Sequence, residues 1–489
     1  MDGRASVVSA NRPMRLVGGD VVAISSDILF IWDVISVALC GYWCTLFFDK
    51  FLPGPRLPTD FFESALSISL IAGSLAAVVL RQRKALLMSG SAAALTKQTA
   101  VQFAALAGLV LTLSFFARLS DHVPRGFIAA WLGCGFGFVL GGRLWLFGWL
   151  RNLEAKGALR ERIAIIGTPS ATKDMIRNLL NGGRRSVEIV GVFEGLSLAP
   201  EGTIRLADPD LAELIELGMR RSLDRIVLAL PDLNQSAVRD VVQQLKVIDI
   251  ELALCPVTFC LDREPSCVDF LGQVPLFVLA PRPYRRWGII LKAAEDRILG
   301  ALLLILLFPA MFVVAIAIKL DSPGPVFFRQ WRQGWNNTEF RIWKFRTMTH
   351  DHGHEERNAV RQTQIADPRV TRVGRFLRRS SLDELPQLFN VLCGEMSLVG
   401  PRPHSAYMRT ENLLGEEIVQ EYAHRHRVKP GMTGWAQVNG LRGATHKIEQ
   451  MRKRVELDIY YIEHWSILFD LKILFLTPLK LLFDGTNAY

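Results

Sequence analysis

Residues 298–318 read ILGALLLILLFPAMFVVAIAI, an uncharged apolar run with Pro309 near its middle. A helix of that length, at about 1.5 Å per residue, just spans the hydrocarbon core of a bilayer. Taken alone, the run is a membrane span that puts everything after it on the opposite side. Its flanks disagree. Arg282, Arg285, Arg286, Lys292 and Arg297 precede it, and Lys319, Arg329, Arg332 and Arg341 follow. Basic flanks favour the cytoplasmic side of a membrane, and here both ends are basic. Pro309 removes one helical hydrogen bond and clashes with the preceding turn, so a kink or break is expected there. A re-entrant helix over residues 295–319, which enters, bends at Pro309 and returns, reconciles the two observations. The alternative is an ordinary proline-kinked span.

Working outward, the chain of 489 residues is too long for one compact core, and its apolar half favours a membrane protein. Four further apolar stretches, Ile28–Phe48, Phe62–Leu80, Ala100–Ala117 and Phe127–Leu150, are each long enough to span. Arg4, Arg12 and Arg15 precede the first, and Arg81, Arg83, Lys84 and Lys97 follow the second. Arg151, Lys156, Arg160 and Arg162 follow the fourth. The positive-inside rule then puts both ends of a four-helix transmembrane bundle in the cytoplasm, with the first helix uncleaved. Asp33 and Arg143 lie at membrane depth, either as an interhelical pair or with Arg143 snorkelling to the interface. The lack of further charges in these spans argues against an ion-coupled transporter. The seven cysteines form no CxxC pair and read as free thiols.

Between residues 153 and 278 short apolar strands alternate with helical segments. Strands are expected at Arg162–Gly167, Val187–Phe193, Arg225–Leu230 and Glu251–Cys255, with helices at Pro209–Leu217 and Ser236–Val247. This is the pattern of a Rossmann-like parallel α/β domain. Its first turn, Gly167-Thr168-Pro169-Ser170-Ala171, lacks the second and third glycines that let a pyrophosphate approach the backbone. A structural or regulatory domain is expected in place of a dinucleotide site.

After Lys319 the chain changes character, through KLDSPGPVFFRQWRQG, FRIWKFRTM, DPRVTRVGRFLRRSSLDELPQLFNVLCGEMSLVGPRPH and RVKPGMTGWAQVNG. Within the third stretch, Asp383 and Glu384 read as a helix start. Pro386 suits only a first turn, and Leu385, Leu388, Phe389 and Leu392 form one apolar face. Ser381 and Glu384 have the spacing of a capping box, which is the purely structural explanation for these acids. Arg375, Arg378, Arg379 and Arg402 surround the pair, and guanidinium groups match phosphate oxygens. The formal charge of +10 fits nucleic acid, anionic lipid or a phosphorylated substrate, and position along the chain decides where composition does not. With these arginines beside two carboxylates on a membrane-tied chain, phosphorylated substrate and membrane lipid are the expected partners, and no nucleic acid.

These motifs, in this order, resemble the bacterial sugar transferases, the monotopic phosphoglycosyl transferases that prime exopolysaccharide synthesis. The resemblance covers Trp287–Tyr489 closely, and the preceding regions are similar to those of the large members, most of all the undecaprenyl-phosphate glucose phosphotransferases. It implies that Asp383 is the nucleophile and that Glu384 assists and holds Mg2+. It also implies that Lys344, Arg346, Arg375, Arg378, Arg379, Arg402 and Gln437 hold substrate. The substrates implied are a UDP-sugar and undecaprenyl phosphate, with glucose 1-phosphate transferred and UMP released. The segment from Arg442 to Tyr489 resembles the glucose-transferring subgroup, with UDP-galactose the rival donor.

The expected architecture is therefore membrane α plus α/β. A cytoplasmic segment over 1–24 leads into a four-helix bundle over 25–152. The Rossmann-like domain covers 153–278, and a mainly helical catalytic domain over 279–489 sits on the re-entrant helix. The expected location is the bacterial inner membrane, with the catalytic domain cytoplasmic. A homo-oligomer is left open. Two other readings compete, a nucleotide-sugar oxidoreductase using the middle domain and a non-catalytic polysaccharide assembly protein. His350, His352, His354 and Glu355 resemble a metal site in composition, but a hard oxygen-bound cation suits phosphate chemistry better and a connecting loop is expected. Trp465–Phe483 is apolar with scattered charges, as in helices lying at a membrane interface.

Overall fold

The fold is taken from a computed structural model. It describes residues 17–51, 61–80, 90–116, 123–181, 187–194, 196–198, 204–206, 208–220, 222–229, 235–246, 248–255, 267–271, 274–349, 369–403, 409–410, 413–414, 418–441 and 447–483. The histidine cluster at 350–355 lies outside these residues, as do Arg4, Arg12 and Arg15, the basic loop at 81–84, and Gly485–Tyr489. Leu16–Arg160 forms one compact unit, and Glu161–Tyr489 lies in a second.

Among the described residues the first unit has four long helices, α1 (Gly18–Phe51), α2 (Phe61–Val79), α3 (Ala92–Phe116) and α4 (Arg125–Ala155). On α2 the buried stripe Phe61, Ala65, Ile68, Ala72 and Ala76 steps at helical spacing and is built largely of small side chains. Small residues let helices approach closely where no water drives them together. The outer faces stay apolar, with Val78, Val101, Leu113, Phe115 and Trp145 exposed. Helices apolar on both faces suit a lipid surrounding, and five helices among the described residues are long and apolar enough to cross a membrane.

Arg143 ties this unit together. Its Nη2 and Nε donate to Asp33 Oδ2 at 2.7 and 3.0 Å, and Nη1 donates to Thr99 Oγ1 and Gln102 Oε1 at 3.0 and 2.9 Å. Nη2 also donates to Leu80 O at 2.7 Å, so one guanidinium carried by α4 reaches α1, α3 and the end of α2. Of the two sequence alternatives, the interhelical pair forms.

In the second unit a six-stranded sheet has the order β2-β1-β5-β6-β8-β7. Its strands are β1 (Glu161–Gly167), β2 (Val187–Phe193), β5 (Arg225–Ala229), β6 (Glu251–Leu254), β7 (Cys267–Leu271) and β8 (Val274–Ala280). The short pair β3 (Leu196–Leu198) and β4 (Ile204–Leu206) lies outside it. The first four strands in the order are parallel. β7 and β8 add an antiparallel edge that the sequence pattern did not announce.

Alternate residues of β1 face opposite cores. Ala164 and Ile166 pack with Leu214, Val238 and Val241 of α6 (Asp208–Met219) and α7 (Gln235–Leu245). Ile163 and Ile165 pack with Ala171, Met175 and Leu179 of α5 (Pro169–Asn181). The glycine ending β1 has a packing reason, because a Cβ on Gly167 would lie 2.3 Å from Ala229 O. The chain is thus a membrane α plus α/β protein.

The apolar run belongs to α8 (Trp287–Asp321), which continues through Pro309 without the expected break. It is followed by the hairpin β9 (Phe327–Gln333) and β10 (Glu339–Phe345), then α9 (Arg372–Ser380) and α10 (Gln387–Cys393). Next come β11 (Ser397–Val399), β12 (Gly431–Thr433), α11 (Trp435–Val438), α12 (Ile448–Glu463) and α13 (Ile467–Phe483).

Both ends of α8 are tied into this one assembly. Near its start, Lys292 Nζ lies 2.6 Å from Asp470 Oδ2 of α13, and Asp296 accepts from Ser397 Oγ and Leu398 N of β11. At its end, Asp321 accepts from Val373 N of α9, and Met311 and Ile318 pack against Phe345 and Leu377. The middle is bare, with Ile305, Leu306, Phe308, Phe312 and Val313 exposed.

Candidate active site

The site lies where β10 meets the turn between α9 and α10. Pairing of β10 with β9 sets Lys344 opposite Phe328, so the lysine leaves the ribbon near its open end. Thr371 starts α9 by accepting from Gly374 N at 2.9 Å. A Cβ on Gly374 would meet Thr347 O at 2.1 Å, so only glycine allows α9 to pack this close to the end of β10. Ser381 then ends α9 in the left-handed region (φ 59°), and the chain turns into a single 3₁₀ turn, Leu382–Glu384. α10 begins only at Gln387, after Pro386.

The capping box suggested by the Ser381–Glu384 spacing is not formed. The Ser381 side chain makes no capping hydrogen bond, and Glu384 turns to two cations. Lys344 Nζ donates to Glu384 Oε1 at 2.7 Å. Arg402, from the Pro401-Arg402-Pro403 segment after β11, takes both carboxylate oxygens, with Nη1 3.0 Å from Oε2 and Nη2 on Oε1. Asp383 is treated differently. Lys344 Nζ is 3.9 Å from its Oδ2, and its carboxylate accepts no hydrogen bond from any described residue. The side chains of Asp383 and Glu384 keep 13 % and 14 % of their surface, so the pair is recessed but reachable.

Their protonation diverges accordingly. Burial pushes the Asp383 carboxyl up to about 6, helped by the charge of Glu384 and opposed by Lys344, Arg402 and Arg378. Glu384 is equally removed from water, but Arg402 and Lys344 together hold it well below the usual carboxylate range. Two neighbouring carboxyls thus have opposite tendencies, a common basis for dividing roles in catalysis.

The other residues singled out in the sequence separate by position. Arg378 donates from Nε to Thr347 Oγ1 at 2.8 Å and is close enough for its charge to act on Asp383. Arg375 and Arg379 stand on the exposed face of α9. Arg346 is buried against the end of α8, with Nη2 donating to Ser322 O and Oγ at 2.6 and 2.9 Å and Nη1 to Pro323 O at 2.8 Å. Gln437 sits on α11, its Nε2 3.4 Å from Met432 O. Pro309 lies inside α8.

Two residues that sequence reasoning passed over belong here. Arg332, counted only as a basic flank, is pushed down to about 10 by burial and by the charge of Arg402. Arg425 Nη2 donates to Arg402 O at 2.9 Å while paired with Asp458 Oδ2 at 2.7 Å, so it steadies the backbone of the arginine that grips Glu384. Arg425 lies in the run His424-Arg425-His426-Arg427, which in sequence looks like a solvated basic face. Nothing local betrays that all four are buried.

Among the described residues no group of three or more His, Cys, Asp or Glu side chains could cage a metal ion. The donor set still suits a hard divalent cation shared with phosphates, because magnesium is commonly held by one or two carboxylates plus substrate oxygens and water. Asp383 has a carboxylate that accepts no hydrogen bond from a described residue.

The family model described as bacterial sugar transferase matches residues 287–484, and one described as CoA-binding domain matches residues 86–256. A UDP-glucose:undecaprenyl-phosphate glucose-1-phosphate transferase of Xanthomonas campestris pv. campestris is 36% identical over 76% of this chain and 77% of its own length. One of the same description from Escherichia coli (strain K12) is 39% identical, covering 68% of this chain and 69% of its own length. An undecaprenyl-phosphate glucose phosphotransferase of Komagataeibacter xylinus is 42% identical over 68% of this chain and 60% of that protein. At that identity and coverage the chain belongs to the bacterial sugar transferase family, as an enzyme of the phosphoglycosyl transferase kind.

Proposed function

We propose that this enzyme moves glucose 1-phosphate from UDP-glucose to undecaprenyl phosphate, releasing UMP, as the priming step of exopolysaccharide synthesis. The observation that carries the mechanism is the contrast between the two carboxylates: Glu384 is held by Lys344 and Arg402, whereas Asp383 accepts no hydrogen bond from a described residue. A nucleophile needs free lone pairs, and an adjacent diphosphate needs cations to approach it.

In this mechanism an Asp383 oxygen attacks the sugar-proximal phosphorus. The bond from that phosphorus to the bridging oxygen breaks, and UMP leaves with the electron pair. The resulting aspartyl phosphosugar is attacked by a phosphate oxygen of the polyprenyl acceptor, which frees the Asp383 carboxylate and completes the lipid diphosphate sugar. One phosphoanhydride is broken and one is made, so the exchange is nearly balanced and reversible with UMP. Lys344, Arg402 and Arg378 counter the negative charge gathered around Asp383, and Arg402 keeps Glu384 oriented beside it. Glu384, together with substrate oxygens, would hold a magnesium ion, which when bound would supply further charge neutralisation.

The proposed setting is the inner membrane, with the four helices of the first unit spanning it and the transferase segment 279–489 cytoplasmic. A re-entrant α8 is supported by its ties, since both its ends are bonded to the same polar assembly while its middle is bare and apolar. The acceptor phosphate resides at the membrane surface, the level at which such a helix holds the dyad.

The test is a donor screen on the purified full-length enzyme with a polyprenyl phosphate, following UMP and lipid-linked sugar. UDP-glucose is expected to turn over faster than UDP-galactose. Faster turnover of UDP-galactose overturns the choice of sugar, and no UMP from either donor overturns the reaction.

A further inference from the structure

Lys344 reaches Glu384 from a strand, whereas Glu384 lies on the turn leading into α10, and something must fix the strand against the helix. β9 occupies one edge of β10. On the other edge, where a third strand would pair, stands the side chain of Asn390. Its Oδ1 accepts from Trp343 N at 2.9 Å, and its Nδ2 donates to Arg341 O at 2.8 Å. Residues two apart on a strand present their backbone groups to the same edge, so one amide reproduces the donor and acceptor of a missing ladder partner.

The remaining Nδ2 hydrogen goes to Glu395 Oε2 at 2.6 Å, and Asn390 is wholly buried. This set of partners fixes the orientation of the amide, because Trp343 N can only donate and the Arg341 carbonyl and Glu395 carboxylate accept. Asn390 sits on α10, the helix that follows Asp383 and Glu384, and it pins the residue directly before Lys344.

Other contacts at this junction are apolar. Trp343 meets Phe327 and Phe389 edge-on, with ring centroids 5.7 and 6.3 Å apart. Such packing resists separation but has no direction, so it tolerates sliding of the strand along the helix. A slide of the ribbon by one residue, about 3.3 Å, would carry the Lys344 ammonium away from Glu384. The asparagine amide, by contrast, reads the backbone positions of β10 themselves.

We propose that Asn390 is a positioning residue for the transfer reaction, locking the register between β10 and α10 so that Lys344 bridges to the Asp383–Glu384 pair. The proposal rests on the reading of Lys344 and the dyad as the reacting centre.

The decisive experiment is a double-mutant cycle on the full-length enzyme in membranes, comparing wild type, Lys344→Ala, Asn390→Ala and the double variant by kcat/KM for UMP release. A residue acting through Lys344 has little left to lose once Lys344 is gone. Asn390→Ala alone is expected to lower kcat/KM by about 10- to 100-fold, and by less than about threefold in the Lys344→Ala background. Asn390→Asp keeps the acceptor for Trp343 N but sets an oxygen against Arg341 O and Glu395. It should lower the rate in the same non-additive way, and it supplies the cycle if the alanine variant does not fold.

An undiminished effect of the Asn390 substitution in the Lys344→Ala background overturns the proposal, because it shows general damage to the fold. So does an Asn390→Ala enzyme with wild-type kcat/KM. If Lys344→Ala alone leaves kcat/KM unchanged, the reading of the site itself fails, which is a separate and recognisable result.

Discussion

Arg402 grips Glu384 with both arms of its guanidinium, Nη1 lying 3.0 Å from Oε2 while Nη2 binds Oε1. A bidentate fork of this kind fixes orientation as well as charge, which a lysine at the same place would not do. With Glu384 so held, the carboxylate next to it in the chain bears its burial with cations nearby but none hydrogen-bonded to it. The arrangement separates a fixed anion from a reactive one using residues that adjoin in sequence.

That separation has a pH signature. An acid whose carboxyl is pushed up to about 6 is protonated, and so not nucleophilic, below that pH. The kcat/KM for UMP release is expected to rise about tenfold per pH unit up to about 6 and then level off. Glu384→Gln removes the neighbouring negative charge, which is one cause of the upward shift, and should move the rise to lower pH. A pH–rate profile of both enzymes checks this, with the sign fixed by the loss of Glu384's charge.

Arg346 offers a second check, because a role with phosphate and a role at the end of α8 differ in what they alter. Its observed partners are Ser322 and Pro323, so Arg346→Met should cost about 2–4 kcal/mol through lost charge-assisted hydrogen bonds. The expected outcome is a lower unfolding temperature in detergent with KM for the UDP-sugar unchanged in the folded protein. A raised KM at unchanged stability would instead assign the guanidinium to substrate.

The membrane helices make their own prediction. Arg143→Met leaves Asp33 buried without its cation, which typically costs about 3–5 kcal/mol, whereas replacing both partners by apolar residues is often close to neutral. Thermal unfolding should therefore show a severe loss for Arg143→Met and near-recovery for Asp33→Leu with Arg143→Met. Equal damage in the single and double variants would contradict the clamp.

How much of this was legible beforehand depends on the range of the interaction. The apolar helices and the strand alternation around Arg162–Gly167 are local patterns, and they appear as expected. The Asp33–Arg143 pair stood in the sequence only as one of two alternatives, because choosing it depends on the register of helices far apart in the chain. The antiparallel edge β7–β8 escaped for the same reason. Asp383 and Glu384 were evident from their motif, yet the left-handed Ser381 that turns them toward Lys344 was not, since serine carries no strong signal for that conformation. The arginines were indistinguishable as letters; only α9's faces separate Arg378, turned to Thr347, from the exposed Arg375 and Arg379. Asn390 and Arg425 were missed because each acts on backbone atoms distant in sequence.

The most direct test is whether sugar phosphate becomes attached to Asp383. Full-length enzyme is incubated with UDP-sugar labelled in the sugar, without acceptor, then denatured and examined for label on the chain while UMP is measured. The account predicts label on the wild-type chain, none on Asp383→Asn, and a fall in UMP release by at least about a thousandfold in that variant, the scale expected when a nucleophile is lost. Release of UMP by Asp383→Asn at the wild-type rate would contradict it.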